Sequence, residues 1–284
     1  MTATCAIQHE PGQRSPSAQG LPTVVLGLMA LMFAVNALRH VEHPPERARG
    51  GVSASPAVSE AALSADLPDL AAIESVSERK ARFFGFLRPI VNAENQRIRA
   101  QRERLLDILA DVRAGGALDS SRRQWLQRMA DRYQVDAGTP AEQARRLRRK
   151  IDVIPPSLAL AQAALESAWG TSRFARQGNN LFGEWCFRPG CGIVPNQRPE
   201  QASYEVEAFP DVRNSVRSYL HNLNSHDAYK ALRDLRAQAR AQGRMPTGSE
   251  LAAGLSSYAA IGERYVEHIR TVIHKNDLQA PASG

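Results

Sequence analysis

The sequence predicts a mostly helical α+β fold, on three observations. Apolar residues recur at helical spacing over most of the chain from Ser77 onward. One eleven-residue stretch, Leu158 to Ala168 (LALAQAALESA), is apolar all round and must be a buried helix. The segment 184–208 is poor in helix signals and holds Cys186, Pro189, Gly190, Cys191, Gly192, Pro195 and Pro199, which reads as a loop or β-hairpin with Tyr204-Glu205-Val206 as a short strand. A chain of 284 residues suffices for one or two domains with a real hydrophobic core.

Taken in order, residues 1–38 read as an export device. Val24 to Val35 is VVLGLMALMFAV, twelve residues without a charge, with Arg14 upstream and Val35-Asn36-Ala37 as a cleavage site, the pattern of a secretory signal. The apolar stretch extends over residues 21–38, near the lower limit of a membrane span, so an uncleaved anchor in the inner membrane is the alternative. Arg39, Arg47 and Arg49 follow the segment, a poor fit to the positive-inside pattern for an anchor with a cytoplasmic N-terminus. Residues 39–74, with Pro44, Pro45, Gly50, Gly51, Pro56 and Pro68 among small residues, cannot bury much apolar surface and read as a flexible linker.

Residues 75–150 form an N-terminal helical region. Phe83, Phe84, Leu87, Ile90, Val91, Ile98, Leu105 and Leu109 place one long helix, with a bend expected at Pro89 and a stop at Gly115-Gly116. Trp125, Leu126, Met129 and Tyr133 mark a second helix, and Thr139-Pro140 caps a third. The third carries Arg145, Arg146, Arg148, Arg149 and Lys150, which read as a solvated face or a contact for an anionic polymer. Residues 151–278 form the second region. Ser157 is the expected N-cap of the buried helix and Gly170 its end; Trp169 is expected to extend its buried stripe. A turn at Gly178-Asn179-Asn180 follows, and helices are expected near Val212–Leu223, Tyr229–Arg240, Leu251–Tyr258 and Tyr265–His274. Residues 279–284 are a tail.

The formal net charge of +7 favours acidic partners: nucleic acid, anionic lipid or an anionic wall polymer. Export argues against nucleic acid. Cys186 and Cys191 bracket a short loop, and in an oxidising compartment such a pair can close a disulfide, two free thiols being the alternative. His221 and His226 are five apart and do not share a helix face, so neither a metal site nor any cofactor is expected. No phosphate loop, dinucleotide fingerprint or serine elbow is present.

The chemistry centres on Glu166. A carboxylate on a buried helix is costly when ionised. Burial raises its pKa, and a raised pKa is what a general acid needs to protonate a departing glycosidic oxygen at neutral pH. Gln162, four residues earlier, shares its face. The competing reading is a structural carboxylate paired with Arg173. Asn179 and Asn180 either bond substrate amides or hold their turn. Phe182 and Trp185 offer aromatic faces to a sugar.

Ala161-Gln162-Ala163-Ala164-Leu165-Glu166-Ser167-Ala168-Trp169-Gly170-Thr171-Ser172, followed by Gly178-Asn179-Asn180-Leu181-Phe182-Gly183, closely resembles the signature of the N-acetylglucosaminidases of glycoside hydrolase family 73. Within that group the chain resembles the bacterial Bax family over about residues 77–278. The likeness includes Phe83-Phe84, Leu87-Arg88-Pro89, Trp185-Cys186, Cys191-Gly192, Val216-Arg217-Ser218-Tyr219, His221-Asn222-Leu223-Asn224 and Tyr229. The resemblance implies a lysozyme-like domain with a small β-hairpin. It implies hydrolysis of the β-1,4 bond after N-acetylglucosamine in peptidoglycan glycan strands, by a periplasmic or otherwise extracytoplasmic enzyme. It assigns Glu166 as the acid, places a second carboxylate on the hairpin, for which Glu205 is chosen, and matches Tyr258 and Tyr265 to two late tyrosines. Glu207 shares a strand face with Glu205, so geometry does not separate them. The family's threonine-aspartate-proline is replaced here by Ala260-Ile261-Gly262-Glu263, which leaves the role of Tyr258 open. A lytic transglycosylase on the same fold and a non-catalytic glycan-binding protein are the rival readings. A monomer is expected.

Overall fold

The computed structural model describes residues 63, 66–136, 138–256, 258 and 262–279. The expected export segment and most of the expected linker lie outside the described residues. Among the described residues no helix is long and apolar enough to cross a membrane.

Helix α1 (Val76–Arg113) is the spine. The Ser75 hydroxyl accepts from the Glu78 amide at its start, and the helix runs through Pro89 as one element of 38 residues. Its buried stripe, Phe83, Leu87, Ile90, Val91, Ile98, Leu105 and Ile108, has the 3.6-residue period that put it in the core. Gly115, at φ +77°, turns the chain away. Helices α2 (Ser120–Arg132), capped by Asp119, and α3 (Pro140–Lys150), opened by a Thr139–Glu142 capping box, follow, and α3 lies along α1.

Helix α4 (Pro156–Glu166) sits at the centre, against α1 and the two C-terminal helices, with every residue from Ser157 to Ala164 buried. Its start corrects the expected cap. Pro156, with its fixed φ and no amide hydrogen, suits the first helical position, so the cap falls on Pro155 and Ser157 is enclosed in the first turn. Its end also differs. The helix stops at Glu166 because Ala168, Trp169 and Gly170 all take positive φ (49°, 60° and 76°). Trp169 therefore leaves the α4 stripe, and its half-buried ring meets the edges of Phe83 and Phe84 on α1 at 6.2 and 5.4 Å. Gly170 is required twice over: by its φ, and because a Cβ there would lie 2.6 Å from Leu70 Cδ1.

After α5 (Arg173–Gly178) the region expected to be a hairpin forms three short antiparallel strands, β1 (Trp185–Cys186), β2 (Gly192–Ile193) and β3 (Glu205–Glu207), in the order β1-β3-β2. Trp185 pairs with Val206, Cys186 with Glu205, and Gly192 with Glu207. The disulfide reading holds: Cys186 and Cys191 are bonded, with Cα atoms 6.2 Å apart. Helix α6 (Val212–Ser225) is capped by Asp211, and a 3₁₀ turn (Asp227–Tyr229) leads into α7 (Lys230–Ala241). The helix expected over Leu251–Tyr258 instead begins at Gly248 as α8 (Gly248–Ala252), set by a Thr247–Glu250 capping box, and tightens to 3₁₀ at Ala253–Leu255. Helix α9 (Glu263–Lys275) closes the core beside α4.

One buried ionic cluster fixes α6 to α1. Glu94 has no exposure and accepts from Arg213 Nε at 2.7 Å, Arg217 at 2.9 and 3.0 Å and Arg97 at 2.9 Å. Burial alone would raise its pKa, but Arg217, Arg97 and Arg213 together hold it down at about 2. Its folded pKa lies below its unfolded one, so its stabilisation is complete above the unfolded value near 4.5 and is lost as pH falls toward 2. Glu94→Gln removes the charge and leaves three guanidinium groups facing one another. The expected cost is about 3 kcal/mol in urea unfolding at pH 7, shrinking as the pH is lowered through 4; a cost independent of pH would contradict this account.

Candidate active site

The site is built where α4 ends. The abrupt turn after Glu166 is held by the Ser167 hydroxyl, which donates to the Ala163 carbonyl at 2.6 Å and accepts from the Gly170 amide at 2.8 Å. Two non-glycine residues with positive φ in succession store backbone strain, and such strain concentrates at functional positions. The consequence is that Glu166 is the last helical residue and is half-exposed, although α4 is otherwise almost wholly enclosed. Arg173, the partner in the structural reading, donates instead to the Val194 carbonyl.

Glu166 is held by a directional chain of hydrogen bonds. Tyr219 donates to Gln162 Oε1 at 2.6 Å, Gln162 Nε2 donates to the Tyr265 oxygen at 3.0 Å, and Tyr265 donates to Glu166 Oε1 at 2.7 Å. The direction is forced at its end, because an amide nitrogen can only donate and Tyr265 then has its single proton left for the carboxyl. Desolvation lifts the Glu166 pKa to about 7, against the opposing pull of the Tyr265 hydrogen bond. At neutral pH the group is poised between acid and base.

Aromatic stacking fixes this chain. Phe182 lies flat on Tyr219, centroids 3.8 Å apart and planes 6° apart, and Tyr258 lies on Tyr265 at 5.0 Å and 11°. Tyr258, 3% exposed, donates to the Phe182 carbonyl at 3.3 Å. Gln162 and Phe182 are fully enclosed and Tyr265 nearly so. These residues therefore shape and support the site from beneath, and Phe182 offers no open ring face to a sugar. Trp185 is half-buried, its ring centroid 4.0 Å from that of Tyr204, which lies just before β3 and not in the strand expected to include it.

Asn179 and Asn180 hold the turn. Asn179, at φ 52°, ends α5, and its amide group donates to the Phe209 carbonyl at 3.1 Å. Asn180 donates to the Glu184 and Glu207 carbonyls at 2.8 and 2.9 Å and accepts from the Phe182 and Glu184 amides, tying the Leu181–Glu184 bend to β3.

The hairpin carboxylates separate by environment. Glu205 accepts from the Gly190 and Gly192 amides at 3.0 and 2.8 Å, which lowers its pKa and commits both oxygens to the disulfide loop. Cys186, Cys191 and Glu205 lie within metal-ligating distance of one another, but the two sulfurs are consumed by the disulfide. Glu207, two residues on, is half-buried, its pKa raised by desolvation against the opposing charge of Arg188. Glu184 was not singled out in the sequence. It is 6% exposed; one oxygen accepts from Ser218 at 3.2 Å, and the other has no hydrogen-bond partner among the described residues. Desolvation, reinforced by Glu207, pushes its pKa well up. The available signal was a lone charge inside the apolar run Leu181-Phe182-Gly183-Glu184-Trp185. His226 is a cap: its Nδ1 accepts from the Ala228 amide, while His221 packs edge-on to Tyr133 at 5.0 Å.

Residues 141–278 match the glucosaminidase family, described as mannosyl-glycoprotein endo-beta-N-acetylglucosaminidase. Protein bax of Escherichia coli strain K12 is 32% identical over 217 residues, covering 76% of this chain and 76% of that protein. The chain belongs to the Bax family. No solved structure matches it. A Bax-family chain with a glucosaminidase domain is of the glycoside-hydrolase class, and the match contains Glu166, the three hairpin carboxylates and all the tyrosines of the site.

Tyr265→Phe removes the one hydrogen bond that favours ionised Glu166, so the carboxyl pKa rises further. The alkaline limb of a kcat/KM–pH profile, expected near 7 in the wild type from the raised Glu166 pKa, is expected to move to higher pH. A limb that stays in place or moves down would show that Tyr265 does not set the proton affinity of this group.

Proposed function

We propose that this protein hydrolyses the β-1,4 bond after N-acetylglucosamine in peptidoglycan glycan strands, outside the cytoplasm, with Glu166 as general acid. The observation that carries the reading is a half-buried helix-end carboxyl whose desolvation raises its pKa to about 7. In its protonated form Glu166 delivers its hydrogen to the glycosidic oxygen as the bond to the anomeric carbon lengthens. Tyr265 steadies the carboxylate left behind, and Gln162, Tyr219 and Tyr258 hold Tyr265 in place.

For the second carboxylate the surroundings favour Glu207 over Glu205. A group that activates water, or steadies positive charge at the anomeric carbon, needs an oxygen free to turn toward it. The oxygens of Glu205 are held by loop amides that lower its pKa, whereas burial raises the pKa of Glu207 and so its readiness to take a proton. Glu205 then acts by shaping the loop, and Glu184, with its raised pKa, stays protonated beneath the hairpin as a donor. Trp185 on β1 and Tyr204 just before β3 form an aromatic pair against which the apolar face of a sugar ring can pack.

Zymography and reducing-end analysis on purified sacculi test the reading. Glu166→Gln keeps the shape and removes the proton source, with an expected fall in kcat of about 10²–10⁴-fold at unchanged thermal stability. Glu207→Gln is expected to lower kcat strongly, and Glu205→Gln to lower stability more than kcat. Retained lytic activity in Glu166→Gln would end the assignment, and products with anhydro-muramyl ends would replace hydrolysis by transglycosylation.

A further inference from the structure

A strongly basic hollow of about 360 Å³ opens between α1, α3 and α7. Eight of its eleven lining residues are arginines, and a single one, Asp152, is acidic. It shares no residue with the glutamate site.

Its floor is built rather than incidental. Arg236 is 1% exposed and donates to five acceptors: the carbonyls of Arg149, Lys150, Asp152 and Val153 and the Asn224 side chain. All five are neutral, so they orient the guanidinium without cancelling its charge. Burial depresses its pKa to about 10, which still leaves it positive at neutral pH. Arg240 forms a two-pronged contact with Asp152 at 2.7 and 3.0 Å, and Arg102 approaches the same carboxylate at 3.4 Å. The Asp152 carboxylate thus meets two guanidinium groups directly, with the charge of Arg236 close by. Around the rim Arg149 meets Asp234, and Arg233 is 3.9 Å from Asp227. Arg145 and Arg148, both exposed, pair with no carboxylate among the described residues. Like charges gathered around a concave surface focus a positive field into it. A second hollow of about 320 Å³ shares Arg113 and Arg145 with the first and adds Leu109, Val112 and Ala141, an apolar shelf beside the charge.

We propose that this basin is a binding site for a phosphate-type oxyanion: a phosphate ester whose charged oxygens are gripped by Arg145, Arg148 and Arg240, with its carbon substituent along Leu109 and Val112. Guanidinium forks match phosphate oxygens two at a time, and several forks converging on one hollow suit a multiply charged group better than a single carboxylate. A water takes about 30 Å³ of liquid, so the basin has room for roughly a dozen waters, or for a mono- or diphosphate that displaces them. The shared chemistry comes from two sources, a phospholipid headgroup or a soluble phosphate ester.

The test compares the full chain with Arg145→Glu/Arg148→Glu. The control is Arg123→Glu/Arg128→Glu, two exposed arginines of α2 that carry the same change in net charge outside the basin. Pyrophosphate is titrated calorimetrically at low ionic strength, and sedimentation is measured with phosphatidylcholine vesicles with and without phosphatidylglycerol. The wild type and the control are expected to bind pyrophosphate saturably at one site, and the basin variant at least tenfold more weakly with the same thermal melt. Phosphatidylglycerol-dependent sedimentation that pyrophosphate competes away, and that only the basin variant loses, identifies the lipid source; pyrophosphate binding without it identifies a soluble ester. If the double variant does not fold, Arg148→Gln is expected to weaken pyrophosphate binding about threefold. The absence of saturable binding to either probe, or equal losses in the basin variant and the control, overturns the proposal.

Discussion

The Tyr265 hydroxyl and the Glu166 carboxyl constrain each other, and much of the C-terminal half is arranged to keep them 2.7 Å apart. A carboxyl enclosed by protein resists ionisation, and a single good hydrogen bond moderates that resistance without abolishing it. The resulting balance holds only if the phenol cannot swing away. Gln162 prevents that from one side and the ring of Tyr258 from the other. Gln162 is in turn oriented by Tyr219, and Tyr219 is clamped under Phe182. The proton affinity of the carboxyl is therefore tuned by groups buried behind it.

The remaining architecture keeps α4, α6 and α9 from shifting relative to one another. Helix α1 runs behind α4 and is joined to α6 through Glu94 and its three arginines. Asn95, one residue on, exchanges two hydrogen bonds with the backbone of Ile154 just before α4 begins. The long N-terminal helix and the glucosaminidase domain share one hydrophobic core. Asn180 ties the small sheet to the turn before it through the Glu184 and Glu207 carbonyls, and the disulfide closes the loop between β1 and β2.

Periodicity and capping made most of the helices legible. The Thr139 capping box, the Asp211 cap and the stripe of α1 each carry a local chemical signal. Where reading failed, the deciding force was local at the start of α4 and tertiary elsewhere. The start of α4 shifted because a proline at position 156 outcompetes the serine after it, and its end shifted because Gly170 must pass close to Leu70, a contact invisible in sequence. The family motif singled out Glu166, Gln162 and Tyr265 as residue types, but which atom donates to which depends on residues as far apart as 103 positions. Strand alternation does not separate Glu205 from Glu207; what separates them is the loop amides that occupy Glu205, and the burial of Glu184 is likewise a tertiary property.

The early stop of α4 has a further electrical effect. The peptide dipoles of a helix sum to a partial negative charge at its C-terminus, and Glu166 occupies that very position. A second negative charge is unwelcome there, so the helix itself pushes the carboxyl toward its neutral form, by an amount on the order of 0.3–1 kcal/mol. This influence comes from the backbone and does not depend on what lies against the carboxyl. Had the chain run on in regular helix to Gly170, Glu166 would have sat a full turn inside, beyond the strongest part of that field, and would have been freer to lose its proton before a sugar arrived.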